Sequence, residues 1–187
     1  MKNTKIKPQT LKGFRDFLPE KLRKTGKVAV FIDAANILYS QQTLGWKVDY
    51  KKLILMFKKD FELIFIGFYY GKISESKGQE RFFAMLRDRE YTLRTKPVKY
   101  IKTLKGVILK GNLDVELAFD ILTMKDKFDT CILLSGDSDF EIILSHLRSL
   151  GKKVIVVSTK GHISLELIRN CDKYVNLKKL RSFLERK

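Results

Sequence analysis

Two short apolar runs, each ended by an acidic turn, constrain the fold of this chain most strongly. The first is Val28-Ala29-Val30-Phe31-Ile32, followed by Asp33 and then by Asn36. The second is Cys131-Ile132-Leu133-Leu134, followed by Ser135-Gly136-Asp137-Ser138-Asp139. Apolar runs without polar alternation are typical of strands that are buried on both faces of a parallel sheet. Because the carboxyl ends of parallel strands open onto one ligand crevice, we expect these carboxylates to meet there and hold a divalent cation.

Strands and helices alternate along the rest of the chain. The pattern predicts further strands at 63–70, within 96–103, at 153–157 and at 174–175. It predicts helices directly after Asp33 and Asp49 and over 76–89, 113–124, 140–150, 165–168 and 177–185. The helix over 113–124 is apolar around most of its circumference and is predicted to be buried. The alternation predicts an α/β fold in which helices flank a Rossmann-like, mostly parallel sheet in a single domain.

The chain is predicted to divide into three segments. Residues 1–26 contain two prolines and two glycines among many charges, and we expect a basic N-terminal extension outside the core, either an arm or a short packed segment. Residues 27–177 form the α/β domain, and residues 178–187 form a basic C-terminal helix.

The charge balance predicts a polyanionic partner. The 187 residues carry a formal net charge of +17, an excess that favours nucleic acid over a small neutral metabolite. Between residues 91 and 110 there are six basic and no acidic side chains, with tyrosines among them. Cations and aromatic rings together are how proteins grip single strands. The candidate nucleic-acid contacts are Arg94, Lys96, Lys99, Lys102 and Lys110. The alternative interpretation is a lysine-rich solvated surface.

Several other classes of protein fit less well. No apolar run reaches the length of about 20 residues that a membrane helix needs, and no secretory signal follows the N-terminus. The histidines, His146 and His162, have no cysteine or histidine at zinc-ligand spacing, and no glycine-rich phosphate loop follows the first strand. The two cysteines are too few for a disulfide framework, which favours a reducing cytoplasm. No feature of the sequence decides the oligomeric state.

The acidic residues are the candidate metal ligands. Asp33 and Asp137 lie where strands leave the sheet. Asp139 lies two residues beyond Asp137, and the repulsion between these two carboxylates suggests that a cation binds there. Asp114, at the start of the helix over 113–124, is the preferred third ligand, and Asp120 is expected to support the site from behind. The alternatives are ordinary helix-start roles: Ser138-x-x-Glu141 matches a capping box, Asp139 complements the helix dipole, and Asp114 is an N-cap.

Three polar residues are candidates for supporting roles. Asn36 and Ser135 are expected to orient a water molecule at the metal or an acidic ligand, and Lys110 to meet a phosphate oxygen. For each of them the alternative is turn or cap hydrogen bonding.

Three blocks of this sequence resemble the signature blocks of the NYN domain family, the LabA-type branch of the PIN-like nucleases. They are Phe31-Ile32-Asp33-Ala34-Ala35-Asn36, Lys110-Gly111-Asn112-Leu113-Asp114-Val115-Glu116-Leu117-Ala118-Phe119-Asp120 and Leu134-Ser135-Gly136-Asp137-Ser138-Asp139-Phe140. The segment 164–175 resembles the family's last helix and strand. One departure is an additional residue between Gly111 and Asp114, where the family commonly reads Lys-Gly-Val-Asp.

The resemblance implies a PIN-like fold and an endoribonuclease that depends on Mg²⁺ or Mn²⁺. Its acidic cluster falls on Asp33, Asp114, Asp137 and Asp139. Together with the basic, aromatic stretch at 91–110, the resemblance predicts single-stranded RNA as the substrate, with other single-stranded nucleic acid as the alternative. The competing hypothesis is a non-catalytic RNA-binding or scaffold module that keeps the fold. Residues 11–24 are also similar to the opening of histidyl-tRNA synthetases, a match too short to imply tRNA specificity.

Overall fold

The structure is a computed structural model that describes residues 13–73, 76–103 and 106–187, with the backbone alone described for residues 100–103 and 107–110. The strands of the described chain are β1 Lys27–Asp33, β2 Glu62–Lys72, β3 Thr92–Pro97, β4 Lys99–Thr103, β5 Gly106–Lys110, β6 Thr130–Leu134, β7 Lys153–Ser158 and β8 Lys173–Asn176. Its α-helices are α1 Glu20–Arg23, α2 Ala34–Leu44, α3 Tyr50–Asp60, α4 Lys77–Asp88, α5 Asp114–Met124, α6 Glu141–Ser149, α7 Leu165–Arg169 and α8 Arg181–Leu184. Short 3-10 turns occur at Phe14–Phe17, Lys125–Lys127, Ser138–Phe140 and Leu177–Leu180.

Six strands form one parallel sheet in the order β3-β2-β1-β6-β7-β8. Strands β4 and β5 form a separate antiparallel hairpin. The predicted α/β fold with helices on both sides of a parallel sheet is therefore confirmed. Strand β1 lies in the middle of the sheet, where it pairs with β2 on one side and with β6 on the other.

The central strands are apolar throughout because each face of the sheet has its own core. Val30 and Ile32 of β1 belong to the core beneath α2, α3 and α4, whereas Ala29 and Phe31 belong to the core beneath α5 and α6. All four side chains are fully buried. The lack of polar alternation in β1 thus reflects burial on both sides.

Residues 13–23 of the predicted extension pack against the first of these cores. The Phe14 ring lies 5.2 Å from the Phe57 ring and 5.8 Å from the Phe61 ring, centre to centre. Leu18 and Leu22 are also buried in this core. These residues thus form a packed extension and not an arm, but the expectation that they lie outside the core is wrong, because their apolar side chains are buried against α3. Residues 1–12 of the predicted extension lie outside the described residues.

The third strand of the main sheet begins earlier than predicted. Strand β3 pairs in parallel with the end of β2, and the predicted stretch 96–103 is divided between the end of β3 and β4 of the hairpin. Strand β3 is at the edge of the sheet and its sequence, Thr-Leu-Arg-Thr-Lys-Pro, is mostly polar and exposed. A polar edge strand has no apolar pattern that would reveal it.

The prediction that the helix over 113–124 is buried is wrong for one of its faces. Leu117 and Ile121 of α5 are buried, but Val115 is 78% exposed and Phe119 is 64% exposed. Helix α5 therefore packs on the sheet through one face and leaves apolar side chains on the other. No helix in the described ranges combines the length and the apolar character needed to cross a membrane.

Candidate active site

The candidate active site lies where the chain changes direction across the sheet. From β1 the chain proceeds to β2 on one side, and from β6 it proceeds to β7 on the other side. The carboxyl ends of β1 and β6 therefore diverge into separate loops and leave a crevice between them, as is general for open parallel sheets. Asp33 is the last residue of β1, and Ser135, Gly136 and Asp137 directly follow β6.

Asp33 is held by two hydrogen bonds. Its Oδ2 accepts from the Ser135 hydroxyl at 2.9 Å, and its Oδ1 accepts from the backbone N–H of Asn36 at 3.1 Å. The second bond caps α2. The pKa of Asp33 is raised to about 6, chiefly by burial; the two hydrogen bonds oppose this shift, and the nearby charges of Asp114 and Asp137 add to it.

The loop after β6 is fixed by its neighbours. Asn36 Oδ1 accepts from the Gly136 N–H at 3.0 Å, and Ser135 Oγ accepts from the Asp137 N–H at 3.2 Å. A β-carbon on Gly136 would lie 1.6 Å from the carbonyl oxygen of His162, so only glycine fits there. Asn36 and Ser135 thus set the backbone that carries Asp137.

Asp114 reaches the crevice from the start of α5. The Asn112 side chain accepts from the Asp114 N–H at 2.7 Å and donates to Asp114 Oδ2. The turn that carries Asn112 packs closely on β2. The backbones approach so closely that a β-carbon on Gly111 would lie 3.2 Å from the α-carbon of Gly71. Burial raises the pKa of Asp114, and the charges of Asp137 and Asp139 raise it further.

Three of the four predicted ligands form one cluster. Asp114, Asp137 and Asp139 each place a carboxylate oxygen within 4.8 Å of the other two. Asp33 lies beside them and interacts electrostatically with Asp114 and Asp137. None of these four carboxylates has an ion pair within the described residues. The cluster offers only oxygen ligands, which suit Mg²⁺ or Mn²⁺, and a divalent cation would relieve its repulsion.

The predicted helix-start roles of the acids are partly present. Asp137, not Ser138, caps the 3-10 turn Ser138–Phe140, since its Oδ1 accepts from the Asp139 N–H at 3.0 Å. The capping box predicted at Ser138-x-x-Glu141 is therefore wrong, because Ser138 is already within the turn and α6 begins without a side-chain cap. A capping bond uses one oxygen of Asp137 and leaves its other oxygen for a ligand.

The acids open into a cavity of about 460 Å³. Asp33, Asn36, Asp114 and Asp137 line it, together with two tyrosines that are not among the predicted site residues: Tyr39 of α2 and Tyr69 of β2. Tyr39 is 64% exposed, and its ring packs edge-on against His162 with 5.4 Å between centres. The His162 Nε2 lies 2.6 Å from the Thr43 hydroxyl.

Asp120 lies behind this cavity. It is buried and accepts from the Tyr69 hydroxyl at 2.8 Å and from Arg94 Nε at 2.9 Å. Lys96 Nζ of β3 donates at 2.6 Å to Glu116, which lies on α5 with Asp120. The spacing of two residues along β3 matches the spacing of four along α5, so each acid has its own cation. Arg94 and Lys96, both predicted nucleic-acid contacts, thus join β3 to α5 and are neutralised locally.

The remaining predicted cations are on the hairpin. Lys99 begins β4 and is exposed, whereas the side chains of Lys102 and Lys110 lie outside the described residues. Tyr69 could have been found from the sequence by following the alternation of side chains along β2 to its carboxyl end. Tyr39 and Asn112 carry no comparable signal, because their roles depend on the packing of α2 and of the turn before α5.

The acidic crevice at the switch point of a parallel sheet defines a PIN-like α/β domain with a candidate metal centre. Comparison with known proteins gives the family. The NYN domain model matches residues 27–178, and the chain belongs to the NYN domain family. It is 32% identical over 167 residues to the low amplitude and bright protein LabA of Synechococcus elongatus, covering 87% of this chain and 90% of that protein.

A solved structure shares the fold. The crystal structure of a protein of unknown function from Vibrio parahaemolyticus superposes with a TM-score of 0.72 and 26% sequence identity. The match covers 86% of this chain and 96% of the other. Family membership associates the chain with nucleases and RNA in general.

Proposed function

We propose that this protein is a metal-dependent endoribonuclease that hydrolyses phosphodiester bonds of single-stranded RNA in the cytoplasm. The observation that carries the proposal is the cluster of Asp114, Asp137 and Asp139 beside the buried Asp33, at the switch point of the sheet. The cytoplasmic assignment is supported by Cys131 and Cys171, which are both free.

The carboxylates of Asp114, Asp137 and Asp139 would hold Mg²⁺ or Mn²⁺, with Asp33 adding negative charge from its buried position. A divalent cation in such a site supplies charge neutralisation at the scissile phosphate and a lower pKa for water. Ser135 and Asn36 keep Asp33 and the Asp137 backbone in place through the bonds described above. The hydrolysis uses no protein nucleophile and leaves a 5′-phosphate.

RNA fits the charge of the whole chain. The formal net charge of +17 draws phosphates toward the protein, and the group of three close carboxylates that the described residues contain lies at the crevice. Arg94 and Lys96 form ion pairs with acids of α5. We therefore assign the phosphate contacts to the hairpin, which leads into the turn before Asp114 and carries Lys99, Lys102 and Lys110. The exposed Tyr39 ring offers a surface for a base next to the acids.

The test is cleavage of a labelled single-stranded RNA with Mn²⁺ or Mg²⁺, comparing the parent protein with Asp137→Asn. Asp126→Asn is the matched control, because Asp126 is exposed, lies in the turn after the end of α5 opposite to Asp114, and is in an ion pair with Lys125. We expect metal-dependent fragments with 5′-phosphate ends from the parent and the control and almost none from Asp137→Asn. RNA binding without cleavage by any of the three would instead indicate a scaffold module.

A further inference from the structure

A second and larger cavity lies next to the candidate active site. Its volume is about 1,190 Å³, and it is bordered by the end of α2, the loop 45–49, the starts of α3 and α4, and Arg186. A volume of this order exceeds the roughly 300–1,000 Å³ typical of pockets for small ligands. Nothing in the proposed hydrolysis uses it.

The end of β2 separates the two cavities and contributes to both. Tyr69 and Gly71 line the cavity with the acids, whereas Phe68 and Tyr70 line the second cavity, as the alternation of side chains in a strand requires. Gln79 of α4 fixes this ridge, since it donates to the Gly71 carbonyl at 2.9 Å and accepts from the Ile73 N–H at 2.8 Å. The two cavities therefore adjoin the same stretch of β2, and α2 also contributes side chains to both.

The second cavity is lined by positive charges that are not paired with acids, unlike those of Arg94 and Lys96. Five exposed cations line it, and none of them has an ion pair among the described residues: Lys47, Lys51, Arg81, Arg186 and Lys187. Asp49 is the only acid in this lining, and its Oδ1 already accepts from two backbone N–H groups of α3. The cavity therefore favours an anionic ligand.

Its interior wall is aromatic. The rings of Tyr50, Phe68 and Phe82 contact one another edge to face, with centre distances of 5.0, 5.5 and 5.7 Å. The Tyr50 hydroxyl is buried and makes no hydrogen bond of normal geometry within the described residues, although the Gln41 side chain lies beside it. Tyr50 and Phe68 are buried beneath the cavity, whereas the Phe82 ring is partly exposed to it. A partly exposed aromatic ring beside free cations suits nucleotides, which combine bases with phosphates.

We propose that this cavity binds nucleotides of the same RNA strand that flank the bond cleaved at the acids. The proposal rests on the proposed function, because it places the second cavity on the path of that substrate. It predicts that RNA long enough to span both cavities binds more tightly than RNA that occupies only the acidic crevice.

The chain contains one tryptophan, Trp46, and it lines this cavity. We would titrate Asp137→Asn protein with labelled oligouridylate and follow Trp46 emission and RNA anisotropy together. Lys47→Gln/Lys51→Gln/Arg81→Gln on the same background removes three cations of the cavity. Arg87→Gln/Lys178→Gln/Lys179→Gln removes three exposed cations that line neither cavity.

We expect Trp46 emission to change and saturate together with the anisotropy. The cavity variant should bind at least about ten-fold more weakly in 100 mM salt, with a salt slope flatter by about two, while the control variant changes both much less. A silent Trp46 at RNA saturation, or equal losses in the two triple variants, would overturn the proposal. Cleavage by the parent with a silent Trp46 rejects this inference alone, and a responsive Trp46 without cleavage rejects only the nuclease function.

Discussion

Ser135 connects the two acidic strand ends of the sheet through a single oxygen. Its hydroxyl donates to Asp33 Oδ2 at 2.9 Å and accepts from the Asp137 N–H at 3.2 Å. Ser135 is fully buried, so water does not compete for these bonds. The position of the carboxylate on β1 is thereby coupled to the backbone that carries a candidate metal ligand after β6.

The buried Asp33 should make the metal-free protein less stable as the pH rises. Its pKa is about 6 in the folded chain against 3.8 in the reference state, so between these values unfolding releases a proton that the folded chain retains. The free energy of unfolding should fall by about 3 kcal/mol from this group across that window. Asp33→Asn should therefore stabilise the metal-free protein at pH 7.5 by about 2–3 kcal/mol and leave it nearly unchanged at pH 4.

Urea unfolding with a chelator present, at both pH values, measures this difference. Asp126→Asn is the matched control, since its side chain is 80% exposed, and its stability relative to the parent should not depend on this pH window. A gain for Asp33→Asn of the same size at pH 4 and at pH 7.5 would contradict the assigned cause, because the charge is absent at the lower pH.

Binding of a divalent cation should stabilise the parent protein and fail in variants of the cluster. At a free concentration of about 100 times Kd, Mn²⁺ should raise the free energy of unfolding by about 2.7 kcal/mol. Asp114→Asn and Asp137→Asn each remove a carboxylate whose oxygen lies within 4.8 Å of the other two, so each should weaken Mn²⁺ binding at least about ten-fold. Calorimetric titration measures this directly, and unchanged affinity in both variants would remove these residues from the site.

Much of the fold followed from the sequence because burial leaves a strong signal. The runs at 28–32 and 131–134 are apolar because each face of the sheet packs on its own core, and the sequence shows that directly. Strand β3 gave no such signal, since its outward residues are polar and its cations are needed for ion pairs with α5. The burial of α5 was overestimated because apolar content does not reveal that Val115 and Phe119 face away from the sheet.

The acidic residues of the candidate site can be predicted from the sequence, but the residues that surround and support them cannot. Asp33 and Asp137 are placed by strand ends, and Asp114 reaches the cluster despite the additional residue before it, because Asn112 turns the backbone into α5. The roles of Asp120 and Arg94 depend on a match between a strand and a helix that are distant in sequence. Such pairings are fixed by tertiary packing, which a local pattern does not contain.

Replacing Gly136 should destabilise the protein strongly. The added β-carbon of Gly136→Ala would lie 1.6 Å from the His162 carbonyl oxygen, so the backbone of one loop must move. We expect a loss of about 3 kcal/mol or more in the free energy of unfolding, with weaker Mn²⁺ binding because Asp137 is the next residue. Gly78→Ala is the control: apart from its chain neighbours and the backbone of its own helix, no atom of the described residues lies within 4 Å of its β-carbon, and alanine there should be neutral or stabilising. Similar losses in thermal or urea unfolding for both variants would contradict the steric explanation.

The ring of Tyr39 should contribute to RNA affinity without contributing charge. It is exposed at the mouth of the acidic cavity and is held edge-on by His162, so a base can stack on its free face. Tyr39→Ala should weaken binding of single-stranded RNA by about 5- to 150-fold, the range for one stacked base, whereas Tyr39→Phe keeps the ring and should change it less than about two-fold.

Anisotropy titrations over a range of salt concentrations separate this stacking from phosphate attraction. Because the tyrosine is neutral, Tyr39→Ala should lower affinity at every salt concentration and leave the salt slope unchanged, unlike the removal of lysines. In cleavage assays the loss should appear in KM with kcat nearly constant, since a stacked base is held equally in the ground state and the transition state. Equal losses for the alanine and phenylalanine variants would assign the effect to the hydroxyl and exclude stacking.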